Sequence, residues 1–431
     1  MRAMKDSGVE WIGEIPQDWE VVILKKCCGL CKGLPITKAD LIKNGSPVIS
    51  YGQIHSKNNK WTVISKDLIR YVDDSYNFSN PSALAQVGSI IFADTSEDYE
   101  GIGNCIYVNL EQGIFAGYHT IIVRPFNIYY PKYLAFLFQT DCWRSQLRSS
   151  ASGIKVFSVT QKMLRNTTLI VPPNTKQQRI ADYLDSKCSK IDTIIEKQQA
   201  IIEKLKEYKL SVITEAVTKG LKPDVEMKDS GVEWIGEVPR HWEVVKFGRC
   251  ISIASNLVNP NNYLDYPQVS PECIEKNTAK LLDYKTVFES GVISWNHLFY
   301  KGQIIYSKIR PLLNKVIIAP FDGLCSADMY PIDTAENHKF IVYVILSNYF
   351  KAQVGVVIEN RVKMPKINQS ELSNIVVFMP CIDEQKRIVE FLDEECEKIE
   401  RLIASKELLI KKLMEYKKSL IYEVVTGKKE V

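Results

Sequence analysis

The sequence predicts two α/β (α+β) domains, each followed by a long helix, with the two helices paired antiparallel as a coiled coil. Three observations carry this reading. The stretch MKDSGVEWIGEIPQDWEVV at 4–22 returns as MKDSGVEWIGEVPRHWEVV at 227–245, differing only at Ile15/Val238, Gln17/Arg240 and Asp18/His241. QQRIADYLD at 177–185 matches QKRIVEFLD at 385–393, and ITEAVT at 213–218 matches IYEVVT at 421–426. Between the members of this second pair, apolar residues step by three or four positions without Gly or Pro, the pattern of a long helix with a coiled-coil seam. Repeats of this length are an internal duplication, of the form A–B–A′–B′.

The A segments are globular in pattern. Short apolar strands at 88–92, 120–123, 303–306 and 315–319 are separated by Gly, Pro, Asn and Asp turns. Residues 131–138 (PKYLAFLF) and 339–346 read as helices beside them. Pro172, Pro173 and Pro380 stop the strands that precede them, and Asn174 and Asp383 are candidate N-caps. The first seam runs Leu184, Cys188, Ile191, Ile195, Gln198, Ile202, Leu205, Tyr208 and Val212. The second keeps its register through Leu392, Cys396, Ile399, Ile403, Lys406, Ile410, Leu413, Tyr416 and Leu420. Gly220 and Gly427 close the helices, and Pro223 follows the first. The expected divisions are therefore a first domain at 1–175, a helix at 176–220, a linker at 221–226, a second domain at 227–383 and a helix at 384–427.

A repeated unit closes most simply by a two-fold operation, which sets the helices antiparallel. Residues 184–212 then span about 42 Å at 1.5 Å per residue. Gln198 and Lys406 are each the fifth of nine seam positions and are expected to meet, the Gln198 carbonyl accepting from the Lys406 ammonium. Such a polar layer penalises slipped registers.

The chain has 431 residues, 45% hydrophobic and 25% charged, which suits soluble domains with real cores. Its longest apolar run, at 340–346, falls short of the roughly 20 residues of a membrane span. The polar start MRAMKDSG is no signal peptide, so a cytoplasmic protein without a membrane partner is expected. Eleven cysteines, an odd number without a secretion signal, argue against a disulfide framework. Cys28 and Cys31 form a lone CxxC, whereas Cys27/Cys250 and Cys188/Cys396 recur as small buried positions. The five histidines make no metal pattern. There is no GxxxxGK[ST] loop, Gly101-Ile102-Gly103 is a fragment, and Val171-Pro172-Pro173-Asn174 has the wrong order for a methyltransferase motif. No catalytic centre is expected. The net charge is only +4, but residues 142–181 and 290–321 contain no acid, and Arg361, Lys363 and Lys366 cluster. One such window is ordinary solvated surface; three favour a polyanion.

Equal frames with unlike contents suit two different readers held at fixed spacing, as in dimeric readers of duplex DNA with half-sites about 34 Å apart. The MKDSGVEWIGEIPxxWEVV opening, the PP…QQRIADYLD entry, the helix closing in TEAVT and the duplication of all three resemble the specificity (S) subunit of type I restriction-modification systems. The resemblance covers nearly the whole chain. It implies target recognition domains at 1–175 and 227–383 that read an asymmetric bipartite site in double-stranded DNA, with spacer helices between. It also implies two docked methyltransferase (M) subunits, to which restriction (R) subunits bind, with S-adenosylmethionine, ATP and Mg on the partners and no cofactor in this chain.

Candidate DNA contacts follow the loops after the strands. In the second domain SKIRPLLNK at 307–315 carries Lys308 and Arg310 and looks like the family's loop after the central strand. Its counterpart ADTSEDYEG at 93–101 is acidic, leaving Thr95 and Ser96, or Glu97 and Asp98 accepting from cytosine amino groups. Tyr51 and Gln53 occupy a turn equivalent to Pro271-Glu272. Lys155, Arg361, Lys363 and Lys366 lie in the segments leading towards the helices. Each basic residue takes phosphate before base, or is plain surface. The EWIG sequence at 10–13 and Trp19, with their copies at 233–236 and Trp242, are identical where targets should differ, so a packing or partner-facing role fits them better than stacking on DNA. Two alternatives remain: a non-catalytic scaffold of two adaptor domains on a coiled coil, binding protein alone, and an enzyme with an unrecognised motif. DNA affinity of the assembled complex and activity of the isolated chain separate them.

Overall fold

A computed structural model describes residues 3–9, 12–151, 153, 155–232 and 235–431. Glu10, Trp11, Glu233 and Trp234 of the repeated motif lie outside the described residues. The two long helices run Asn174–Lys219 and Ile382–Val425, each entering its helix two residues before the expected boundary. The chain resolves into two compact units, one of Met1–Lys197 with Leu409–Val431 and one of Gln198–Leu408. Each helix is thus shared between the two units.

In the first unit an antiparallel sheet has the order Cys105–Tyr107, Ile90–Ala93, Thr120–Pro125, Cys28–Lys32. A second sheet has the order Arg70–Val72, Ser46–Ile49, Ile114–Ala116, Leu84–Ala85, with Ile114–Ala116 parallel to Ser46–Ile49. Ile90, Ile91 and Phe92 are fully buried, the continuous apolar run of a strand covered on both faces. Helices Pro131–Gln139 and Asp141–Arg148 cover the first sheet, with Phe92, Phe138 and Trp143 in mutual ring contact. The second unit repeats the first sheet in the order Ile251–Ile253, Met329–Thr334, Ile304–Ser307, Val316–Ile318, beside a five-stranded sheet. The anticipated helices and central strands are present in both.

Equivalent glutamines lock equivalent backbone in each unit. Gln177 accepts from Tyr130 N–H (2.8 Å) and donates to the Pro172 carbonyl (2.9 Å); Gln385 does the same with Asn337 (3.0 Å) and Pro380 (3.0 Å). Both glutamines are buried, so each satisfies strand-end groups that water cannot reach.

The helix starts differ from expectation. Asn174 and Asp383 already lie in the first turn. The preceding carbonyls of Pro173 and Cys381 accept the first N–H bonds, from Lys176 and Gln177 and from Glu384 and Gln385.

Within the first unit the start of one long helix meets the end of the other: Leu184, Cys188 and Ile191 share a core with Leu413, Leu420 and Ile421. Within the second, Val212, Ile213 and Val217 pack with Ile388, Leu392 and Cys396. This pairing is antiparallel. Leu184, Ile191, Leu392 and Ile399 are buried, while Leu205 and Leu413 are half-buried. Burial pushes the Cys188, Cys250 and Cys396 thiols up to about 11. Two corrections concern the seam. Tyr208 and Tyr416 are 56% and 54% exposed; the neighbouring Lys209 and Lys417 turn inward and pair with Glu400 (2.5 Å) and Asp192 (2.6 Å) on the opposite helix. A lysine stem covers apolar surface while its ammonium reaches a carboxylate, which a tyrosine ring at that position cannot do. Gln198 and Lys406 are both half-buried, but they do not form the expected hydrogen bond, and Gln198 Oε1 is buried without a partner among the described residues.

The repeated motif seats helix ends. Met4–Asp6 pairs with Glu14–Pro16, and Met227–Asp229 with Glu237–Pro239; Trp19 and Trp242 are 1% exposed. Each helix closes on a left-handed glycine, Gly427 (φ +73°) and Gly220 (φ +71°), a usual helix C-cap. A Cβ on Gly427 would meet Pro16 at 2.5 Å and Trp19 at 3.2 Å; one on Gly220 would meet Trp242 at 3.2 Å.

Candidate nucleic-acid interface

The central strand of the first unit, Ile90–Ala93, delivers Asp94 and then the two-residue strand Thr95–Ser96. That strand pairs with Phe157–Ser158, in the segment leading to the long helix. The Thr95 hydroxyl donates to Asp94 Oδ1 (2.7 Å), and His119 Nδ1 lies 3.2 Å from the same carboxylate oxygen. Behind them, Asn104 Nδ2 donates to His55 Nδ1 (2.9 Å), which leaves His55 Nε2 to donate to the Thr95 carbonyl (2.8 Å). Buried Arg144 holds this loop from below, donating to the carbonyls of Ile102 (3.0 Å) and Glu100 and to Asn104 Oδ1 (2.7 Å). Burial first, and then the Arg148 charge, push Arg144 down to about 10. The loop is therefore held in shape by hydrogen bonds, despite its acidic composition.

In the second unit the loop after Ile304–Ser307 is joined to residues 360–367. Ile309 bridges Lys366, Arg310 N–H donates to the Pro365 carbonyl (2.7 Å), and Ile367 N–H donates to the Lys308 carbonyl (2.9 Å). Arg310 (φ 44°), Asn314 (φ 49°) and Met364 (φ 46°) all adopt left-handed backbone here. For residues other than glycine that conformation costs on the order of 1–3 kcal/mol each and is concentrated at functional sites. Lys308 Nζ stands 5.3 Å over the Tyr330 ring. Arg361 pairs with Glu371, and Lys366 with Asp328 (2.9 Å).

The candidates thus fall into two clusters, one in each unit. Thr95 and Lys155 come to the same loop pair in the first unit; Lys308, Arg310, Arg361, Lys363 and Lys366 come together in the second. Arg310, Lys363 and Lys155 are exposed and make no side-chain bond among the described residues. Ser96 is 2% exposed and donates to the Asp98 carbonyl, so its place is inside the loop. Gln53 closes its own turn by accepting from Ser50 N–H (3.1 Å). Tyr51 stacks edge-on with Tyr118 and His119, which brings it next to Asp94. Sequence reasoning missed Asp94, His119, His55 and Asp328. Gly117-Tyr118-His119 signals a turn, but nothing local says that the turn meets residue 94. Among the described residues no three His, Cys, Asp or Glu side chains gather as a metal site, and no single helix is long and apolar enough to cross a membrane.

The chain matches the family of the type I restriction modification DNA specificity domain over residues 16–207 and 239–409. It is 29% identical over 333 residues to the type I restriction enzyme EcoDI specificity subunit of Escherichia coli, covering 74% of each chain. It is 26% identical over 432 residues to the putative type I restriction enzyme MjaX specificity subunit of Methanocaldococcus jannaschii, covering 97% of this chain and 95% of that one. In fold it is similar to a structure solved for "complex assembly and conformational transition of the type I R-M system", with a TM-score of 0.71 at 16% identity over 96% of this chain and 99% of that one. With both halves matched, the chain belongs to the type I restriction-modification DNA specificity family.

Proposed function

We propose that this chain reads an asymmetric, two-part site in duplex DNA, one part with each unit, as the non-catalytic specificity subunit of a cytoplasmic type I complex. The carrying observation is that two equivalent frames, with the same glutamine locks and tryptophan–glycine seats, present unlike loops. The first presents Asp94, Thr95 and His119; the second presents Lys308, Arg310 and Lys363. Unlike loops read unlike half-sites, and two equivalent frames dock two copies of one methyltransferase subunit, to which restriction subunits bind. Methyl transfer, ATP use and their S-adenosylmethionine, ATP and Mg belong to those partners. Arg310 and Lys363, exposed and without a side-chain bond among the described residues, take phosphate or base acceptors. Native mass measurement of the co-expressed complex should give two methyltransferase chains per copy of this one. Genome-wide mapping of methylated adenines should give a two-part, non-palindromic motif. A single methyltransferase copy, or a palindromic motif, refutes the reading.

A further inference from the structure

The two loop pairs share one backbone node. In the first unit Asp94 N–H donates to the His119 carbonyl (3.1 Å), Val159 N–H donates to the Asp94 carbonyl (2.7 Å), and Ser158 pairs with Thr95. In the second, Lys308 N–H donates to the Asp328 carbonyl (3.0 Å), Ile367 N–H donates to the Lys308 carbonyl (2.9 Å), and Lys366 pairs with Ile309. The same three strand ends meet with the same bonds, so Asp94, His119 and Ser158 stand where Lys308, Asp328 and Lys366 stand. Backbone is kept while chemistry is reversed: an acceptor in one unit occupies the place of an ammonium in the other. The glutamines that lock the frame are identical in both units, so this divergence is not general drift between the halves.

We infer that this node is the specificity determinant of each domain, with Asp94 reading a base amino group in the first half-site and Lys308 reading a base acceptor in the second. The inference rests on the proposed DNA-reading function. A carboxylate accepts from cytosine N4 or adenine N6 in the major groove, whereas an ammonium donates to guanine O6 or N7. Asp94 is prepared for this: Thr95 and His119 fix its carboxylate from one side, and a third of its side-chain surface stays open. Lys308 is fixed by the Tyr330 ring, while Lys366 pairs with Asp328 and leaves Lys308 without an acidic partner among the described residues. His119 and Asp328 are positioning residues; neither is asked to touch a base.

The test uses the full chain assembled with its methyltransferase subunits, measuring methyl transfer onto duplexes that each differ from the preferred site by one base pair. Asp94→Asn should cut discrimination at one base pair of the first half-site by about tenfold or more, the size of one good side-chain–base contact, and leave the second half-site unchanged. Lys308→Met should do the reverse. Asp94→Glu keeps the charge but moves it, and should lower the same discrimination. His119→Gln should lower it less, with no change in the thermal midpoint. A common loss on every duplex, or loss in the wrong half-site, overturns the assignment and leaves DNA reading intact. Absence of any base-pair preference in the unsubstituted complex overturns the proposed function itself.

Discussion

Replacing Gly427 with alanine should destabilise the first unit by about 2–5 kcal/mol, and the size follows from two separable terms. Gly427 sits at φ +73°, where an L side chain costs roughly 1–2 kcal/mol. The new Cβ would also lie 2.5 Å from both Cγ and Cδ of Pro16 and 3.2 Å from Trp19. A pyrrolidine ring cannot swing away, so the strand or the helix end must move, and overpacking of this kind adds about 1–3 kcal/mol. Two further glycines isolate the terms. Gly8 has φ +69° with nothing among the described residues within 4 Å of its Cβ position, so Gly8→Ala carries the strain alone. Gly220 has φ +71° with Trp242 at 3.2 Å, so Gly220→Ala carries the strain and only a mild contact. Urea denaturation of the three variants should therefore rank Gly427→Ala well above Gly220→Ala, with Gly8→Ala equal to or below the latter. The reasoning fails if Gly427→Ala lies within about 0.5 kcal/mol of Gly8→Ala, because the seat formed by Pro16 and Trp19 would then impose no steric constraint on the helix end.

The two inter-helix ion pairs should differ in worth. Asp192 and Lys417 are 29% and 21% exposed at the side chain, against 59% for Glu400 opposite Lys209. Asp192→Asn should therefore cost about 1 kcal/mol in urea titration and Glu400→Gln less than about 0.5 kcal/mol; equal costs would contradict the burial argument. Burial first, and then the Lys308 charge, hold His297 below its ordinary value of 6.5. The unfolded chain then binds the proton more readily, so the second unit should lose stability as pH falls through that value. The slope should be at most about 1.4 kcal/mol per pH unit, and it should flatten in His297→Gln. Lys363→Ala should weaken DNA binding by the complex alike for all sequences and reduce the slope of log K against log salt by about one; a change of sequence preference would make Lys363 a base reader.

What could be read from the sequence was whatever local pattern determines. The duplication located both frames, and the 3.6-residue period located both long helices, because a helical stripe is written in consecutive residues. The stripe slipped by one position at Tyr208 and Tyr416. Tyrosine outranks lysine in apolarity, but the partners of Lys209 and Lys417 sit on the other helix, and pairing across chain segments leaves no mark in either one. The N-caps slipped for a related reason: the Pro173 and Cys381 carbonyls accept the first helical bonds, so Asn174 and Asp383 are not needed there. The candidate site was half legible. Cations clustered away from acids announced Lys308, Arg310 and Lys363. Asp94 and His119, 25 residues apart, become neighbours only through the sheet that joins Ile90–Ala93 to Thr120–Pro125.

That division follows from what each class of residue must do. Gln177, Gln385, Trp19 and Gly427 bind or clear backbone, so their partners are peptide groups and packed rings that no substitution elsewhere can re-place. The tolerance of such positions is set by the orphaned groups or clashes a change would leave. Asp94 and Lys308 stand at strand ends whose backbone bonds are made regardless of the side chain, and both are only half-buried. The frame loses little by exchanging a carboxylate for an ammonium there, while the chemistry offered to a ligand inverts. A fold that keeps its geometry in side chain–backbone contacts and places its readers at saturated strand ends can change what it reads without changing where it holds it. The left-handed Arg310, Asn314 and Met364 depart from that economy in the second unit, spending backbone strain to aim a loop.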